Sequence, residues 1–231
     1  MYTISPYLAE FLGTLIMCTI GCGVIANVEL RRSKGHGDNF FTIAFGWGFA
    51  VFAGVYVGHA SGAHLNPAVT LGMLAGQEPE YAPGVAISVA STLVYIVAQM
   101  VGAFVGAVVC WLAYKKHFDA AGRDGVPTID VFSTGPEIRS YGWNFVTEVI
   151  ATFVLVYVIL VFGETPSELG PLAVGVLVVA IGMSLGGPTG YAINPARDLG
   201  PRLAHALLPI PGKLSSNWSY SWVPVLGPVV G

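Results

Sequence analysis

The chain has 231 residues, of which 54% are hydrophobic and only 10% charged, where an ordinary soluble domain carries roughly a quarter charged residues. Its formal net charge of −3 comes without any block of like charges, which excludes a nucleic-acid surface built on a basic patch. Three cysteines are too few for a disulfide framework, and Cys18, Cys22 and Cys110 all fall in apolar runs, where they read as small buried hydrophobes.

This is the composition of an all-α membrane protein, and the chain is marked by apolar segments at about residues 6–28, 40–58, 84–114, 143–163 and 170–186, with a further one beginning near Tyr220. The first five reach or approach the roughly 20 residues needed to cross a hydrocarbon core. The last, WVPVLGPVVG, stops at Gly231 after about half a span, so a full final helix and a cytoplasmic tail are expected beyond it. The first run is longer than the apolar core of a secretory signal and has no basic residues before it, so it reads as a retained helix.

An internal repeat organises these segments. AEFLGTLIM (9–17) is echoed by TEVIATFVL (147–155), and SGAHLNPAVT (61–70) by TGYAINPARD (189–198). The chain therefore reads as a single channel-like domain of two related halves, about 6–114 and 143–231. Each half offers two spans, a turn-rich loop carrying Asn-Pro-Ala, and a further span. An odd number of spans separates the copies, so the second half lies upside down relative to the first, an inverted repeat that puts special sites near the bilayer midplane.

The two Asn-Pro-Ala copies, Asn66-Pro67-Ala68 and Asn194-Pro195-Ala196, each start a helix. Asparagine is a strong N-cap, and proline in the next position has a preset φ and no N–H to leave unpaired. The stretches that follow, 68–75 and 196–208, are too short to span, so each is expected to be a half-helix dipping into the membrane. Irregular backbone at that depth is tolerated only where it is buried in protein or lines a water-filled cavity, which points to a polar passage.

With these motifs in hand, the sequence resembles the major intrinsic proteins, the aquaporin and glycerol-facilitator family, over essentially its whole length. SGAHLNPAVT and GYAINPARDLGPR carry the resemblance, supported by the membrane glutamates Glu10 and Glu148. It implies a right-handed bundle of six transmembrane helices and two re-entrant half-helices meeting at the two asparagines, with one pore per protomer and a homotetramer in the plasma (inner) membrane. The aspartate directly after the motif arginine, Asp198, is similar to the glycerol-facilitator branch, where it is expected to hold the surrounding loop away from the pore. The selectivity filter carries over as Gly182, Tyr191 and Arg197. Counting back from Asn66 to the remaining filter position lands on Gly46, with Trp47 beside it. Either can occupy it, and Trp47 is favoured over its other role as an interfacial anchor.

These residues suit a small uncharged solute with hydroxyl groups. Arg197 offers several fixed N–H donors, Trp47 and Tyr191 a wall for the C–H groups, and the Asn66 and Asn194 amides further donors at mid-membrane. Two helix N-termini, each worth about half a positive charge, aim at the same place and repel cations and protons. Glu10 and Glu148 read first as acceptors for their re-entrant loops, with proton coupling the sharper alternative. His64 is expected to line the cytoplasmic side of the pore or to make a structural hydrogen bond. His59 and His205 read as packing or loop residues.

No nucleophile, acid–base pair or metal-ligand cluster stands out, so the expectation is a passive channel for glycerol, small polyols and water, without cofactor, metal or nucleic-acid partner and not an enzyme. A water-selective channel or a coupled transporter are the alternatives. The family orientation puts the loops at 29–39, 115–142 and 187–219 outside. They hold all ten lysines and arginines, against the positive-inside rule, which a basic tail beyond Gly231 would offset.

Overall fold

The computed structural model describes residues 4–76, 78–125, 127–162 and 168–231. Most of the connection between the apolar segments at 143–163 and 170–186 lies outside the described residues. Helix α1 spans Pro6–Glu29, α2 Phe40–Gly58, the half-helix α3 Pro67–Ala75 and α4 Val89–Ala113. The second half repeats the order with α6, Tyr141–Phe162, α7, Pro171–Leu185, the half-helix α8, Pro195–Leu207, and α9, Val223–Val230. Between the halves lies α5, Lys115–Arg123, and after α3 comes a small antiparallel hairpin of β1, Glu80–Ala82, and β2, Val85–Ala86.

The helix starts follow local chemistry. Ser5 and Asn39 cap α1 and α2 with side-chain oxygens, and Ser88 closes a reciprocal capping box with Ser91 at the head of α4. Residues 84–88, which the hydropathy pattern assigns to a span, belong instead to the hairpin and this cap. Helix α5 is absent from the sequence reading, which treats 115–142 as loop. Its sequence KKHFDAAGR sinks Phe118 completely into the protein and packs it on Phe132 at 5.4 Å between ring centroids. One aromatic anchor on a short polar helix is too weak a pattern to read from hydropathy.

Four helices among the described residues are long and apolar enough to cross a membrane, α1, α2, α4 and α6; α7 shows 15 apolar residues and α9 eight. Helix α1 packs against α2 and α4, α2 against α7, α4 against α8, and α6 against α9. Small residues set the closest approach. A methyl group on Gly102 or Gly106 of α4 would stand 2.4 Å from the Phe11 or Leu15 carbonyl oxygen of α1, the small-xxx-small geometry that lets membrane helices touch.

The usual distribution of a soluble protein is reversed. Large apolar side chains such as Phe49, Leu93, Val97 and Phe153 are exposed on the outside of the bundle, where hydrocarbon is the natural solvent. Glu10, Gln99, Glu148, Asp198 and Arg202 are buried inside. Polar chemistry is thus gathered where the two half-helices meet.

Candidate functional site

Each motif asparagine does two jobs. The Asn66 side-chain oxygen accepts from the Ala68 N–H at 2.9 Å, and that of Asn194 from the Ala196 and Arg197 N–H groups at 3.0 and 3.2 Å. The amide nitrogens cross to the other half: Asn66 donates to the Ile193 carbonyl at 2.8 Å and Asn194 to the Leu65 carbonyl at 2.9 Å. Two half-helices are thereby joined head to head. An amide nitrogen has two hydrogens, so one per asparagine remains for a passing molecule; sequence reasoning left both free.

The loops entering the half-helices are bent alike. Ala63 and Leu65 before Asn66, and Tyr191 and Ile193 before Asn194, all have positive φ, between 38° and 53°. Left-handed backbone costs a non-glycine residue about 1–2 kcal/mol, and a buried carboxylate offsets it in each half. Glu10 accepts from the N–H groups of His64 and Leu65, both at 2.8 Å, from the Ser61 hydroxyl at 2.6 Å and from the Gln99 amide at 2.7 Å. Glu148 accepts from the N–H groups of Ala192 and Ile193 and from the Thr189 hydroxyl, at 2.7–3.0 Å. In a planar trans peptide the carbonyl points opposite to the N–H. The carbonyls of residues 63 and 64, and of 191 and 192, are therefore turned away from the glutamates, and all four residues line a cavity of about 390 Å³.

This cavity runs past both asparagines and is also lined by Trp47, Tyr191, Arg197 and His64. Of the two residues that counting leaves open, it is Trp47 that meets the lumen. Its ring lies 3.8 Å from the Arg197 guanidinium carbon and rests on Gly21 of α1, where a methyl group would fall 2.3 Å from the indole. Gly46 instead faces Val24 of α1. Gly182 acts through a neighbour: the Tyr191 ring sits over it, within 2.8 Å of where a methyl group would project. The indole N–H of Trp47, the Tyr191 hydroxyl and one terminal nitrogen of Arg197 are buried and have no hydrogen-bond partner among the described residues.

His64 both lines the cavity and makes a hydrogen bond, between Nδ1 and the Thr70 hydroxyl at 3.1 Å. The rings of Tyr81 and Tyr95, themselves 5.0 Å apart, pack against it at 5.1 and 5.2 Å. His205 lies fully buried between the hydroxyls of Thr128 and Ser216.

Asp198 faces away from Arg197 and grips the loop that precedes α6. One of its oxygens accepts from the N–H and hydroxyl of Thr134, both at 2.8 Å. Arg202, fully buried one turn later, donates to both Asp198 oxygens and to the carbonyls of Thr134, Ser216 and Asn217. Sequence reasoning passed over Arg202, although an acid and a base four apart on a helix are neighbours and the spacing was there to read. Gln99 and Gly21 carry no comparable signal, because their partners lie on other helices.

The family model described as Major intrinsic protein matches residues 2–231. The chain belongs to the major intrinsic protein family. Among relatives in this family, the chain is 53% identical to the "Probable glycerol uptake facilitator protein" of Thermotoga maritima over 98% of its length and 94% of the relative's. It is 51% identical to "Glycerol uptake facilitator protein 3" of Lactiplantibacillus plantarum, over 97% and 91% of the two chains. Its fold matches the X-ray structure of the aquaglyceroporin from Plasmodium falciparum with a TM-score of 0.80 and 31% identity, over 97% of this chain and 90% of that one. The likeness covers the six spans, the two re-entrant half-helices and the inverted arrangement of the family fold, so the eight-residue α9 occupies the place of the sixth span.

Proposed function

We propose that this chain is a passive membrane channel for glycerol and related small uncharged solutes, with water, that excludes ions and protons. The observation that carries the reading is the cavity that runs past the paired asparagines and is lined by Trp47, Tyr191 and Arg197. A hydroxyl entering a dry passage without a partner costs about 1–3 kcal/mol. Arg197, the remaining amide hydrogens of Asn66 and Asn194, and the backbone carbonyls supply those partners in sequence, while Trp47 and Tyr191 meet the carbon backbone. Names borne by the relatives agree with this cargo, and a channel or transporter suits the family better than an enzyme.

Trp47, Tyr191 and Arg197 form the selectivity filter in this reading, with Gly182 as the seat of Tyr191. Glu10 and Glu148 shape the pore from behind. Exclusion of cations follows from two helix N-termini, each equivalent to about half a positive charge, and from the full charge of Arg197. The working form is a homotetramer in the lipid bilayer of the plasma membrane, each protomer holding its own pore and both termini on the cytoplasmic side.

Vesicles carrying the purified protein test the channel directly. Given an inward glycerol gradient they shrink and then reswell quickly, at a rate linear in the gradient and unchanged by an imposed voltage or pH difference. Saturation at low solute, or dependence on a proton gradient, would replace the channel by a coupled transporter.

A further inference from the structure

The two turns that enter the half-helices share one plan. Gly62 and Gly190 stand at equivalent places in the repeat, before Asn66 and Asn194, and both have positive φ, 81° and 78°. Each is backed by a segment from outside its own turn. Behind Gly190 stands Thr134, whose side chain would lie 3.4 Å from a methyl group placed there. The buried pair of Asp198 and Arg202 holds Thr134 through its N–H, hydroxyl and carbonyl. Behind Gly62 stands the hairpin of β1 and β2, and it comes closer still: a methyl group on Gly62 would fall 2.4 Å from the Tyr81 carbonyl oxygen.

The hairpin is anchored by Tyr81. This residue is 3% exposed, and its hydroxyl shares a hydrogen bond with that of Thr92, on α4, at 2.7 Å. Its ring packs on Tyr95 at 5.0 Å and meets the His64 ring edge-on at 5.1 Å. Tyr95 in turn donates to the Ser61 carbonyl at 2.9 Å. Tyr81 also lines the cavity, together with Gly62, Ala63 and His64. Glu10 orients the peptides of this turn by accepting from the His64 and Leu65 N–H groups, but the backbone of Gly62 and the ring of His64 lean on the hairpin. Resting on the channel reading above, we propose that Tyr81 is a positioning residue for conduction. Through the hairpin it keeps the turn at 62–65 from shifting, so that the carbonyls of Ala63 and His64 stay in the lumen as acceptors for a passing hydroxyl.

Glycerol flux and its temperature dependence separate positioning from mere folding. Losing intact channels lowers the rate by the same factor at every temperature, whereas a displaced acceptor raises the barrier that each solute crosses and steepens the temperature dependence. Proteoliposomes of the full chain and of its variants are mixed with glycerol over a range of temperatures, and reswelling is corrected for protein-free vesicles. Tyr81→Ala is expected to pass glycerol about fivefold more slowly, the worth of one neutral hydrogen bond, with a steeper temperature dependence. Tyr81→Phe keeps the ring and should recover most of that loss. Gly62→Ala forces the turn and the hairpin apart while leaving every hairpin side chain in place; it should show the same two changes, and it carries the test where Tyr81→Ala does not fold. A wild-type rate in these variants overturns the proposal, and so does a slower rate with wild-type temperature dependence. Wild-type vesicles that pass no glycerol above background would instead remove the channel reading on which the proposal rests.

Discussion

Replacing Arg202 by methionine keeps an unbranched apolar stem, shorter than the original, and removes the charge and all of the donors. In the native protein those donors reach Asp198 at 2.9 and 3.1 Å and the carbonyls of Ser216, Asn217 and Thr134 at 2.8, 3.1 and 3.0 Å. Both members of the pair have no exposed side-chain surface. After the change Asp198 keeps only the two hydrogen bonds from Thr134, and an uncompensated buried charge of this kind costs about 3–5 kcal/mol. The double variant Asp198→Asn, Arg202→Met removes the stranded charge, and neutral replacements of buried pairs are often tolerated. It is therefore expected to recover at least about 2 kcal/mol relative to Arg202→Met alone, a coupling within the range for residues in contact. Equilibrium unfolding by SDS in mixed micelles measures both. The filter should respond too, because the Thr134 side chain stands 3.4 Å from where a methyl group on Gly190 would project, one residue before Tyr191. A loss below about 1 kcal/mol for Arg202→Met, or a double variant no better than the single, would refute the idea that this pair clamps the loops at Thr134 and Ser216–Asn217.

Gly21→Ala pushes a methyl group to within 2.3 Å of the Trp47 ring; it should cost about 1–3 kcal/mol by overpacking and slow glycerol reswelling by driving the indole into the lumen, whereas unchanged flux would mean that Trp47 can step aside. Asn194→Ala removes the cap on Ala196 and Arg197 and the bond to Leu65; a loss of about 1–2 kcal/mol with reduced glycerol flux is expected, and a fully stable, fully active variant would contradict the head-to-head joint. Glu148→Gln offers one acceptor oxygen to the three donors at Ala192, Ile193 and Thr189, so thermal unfolding should show a loss of about 1–3 kcal/mol for the N–H left unpaired. Arg197→Val should admit small cations, read as conductance in planar bilayers; a silent variant would show that the helix N-termini suffice alone.

Much of the fold could be read from the chain because its signals are local. Asn-Pro followed by a short apolar run is a helix start wherever it occurs, and its duplication at 66–68 and 194–196, with Glu10 and Glu148 each on the first span of a half, implies two re-entrant pieces related by inversion. The hydropathy segments found every long helix, with errors confined to their ends. Helix α5 was missed because Phe118 is its one large buried side chain beside the small Ala120 and Ala121, and the hairpin at 80–86 because Tyr81 owes its burial to His64 and Tyr95 rather than to any alternation in its own strand.

What no reading of the chain could decide was register between segments. Counting from Asn66 lands on Gly46, the chemistry favours Trp47 beside it, and the choice falls to α1, which presents Gly21 to the indole and Val24 to the glycine. Gly182 looks in sequence like open space, yet it is the seat of a tyrosine nine positions later. The asparagine amides look free, yet each spends one hydrogen on the opposite half. Composition and capping act over a few residues and so survive in the linear order; the width and polarity of the passage depend on which atoms meet across helices distant in the chain, and only packing settles that.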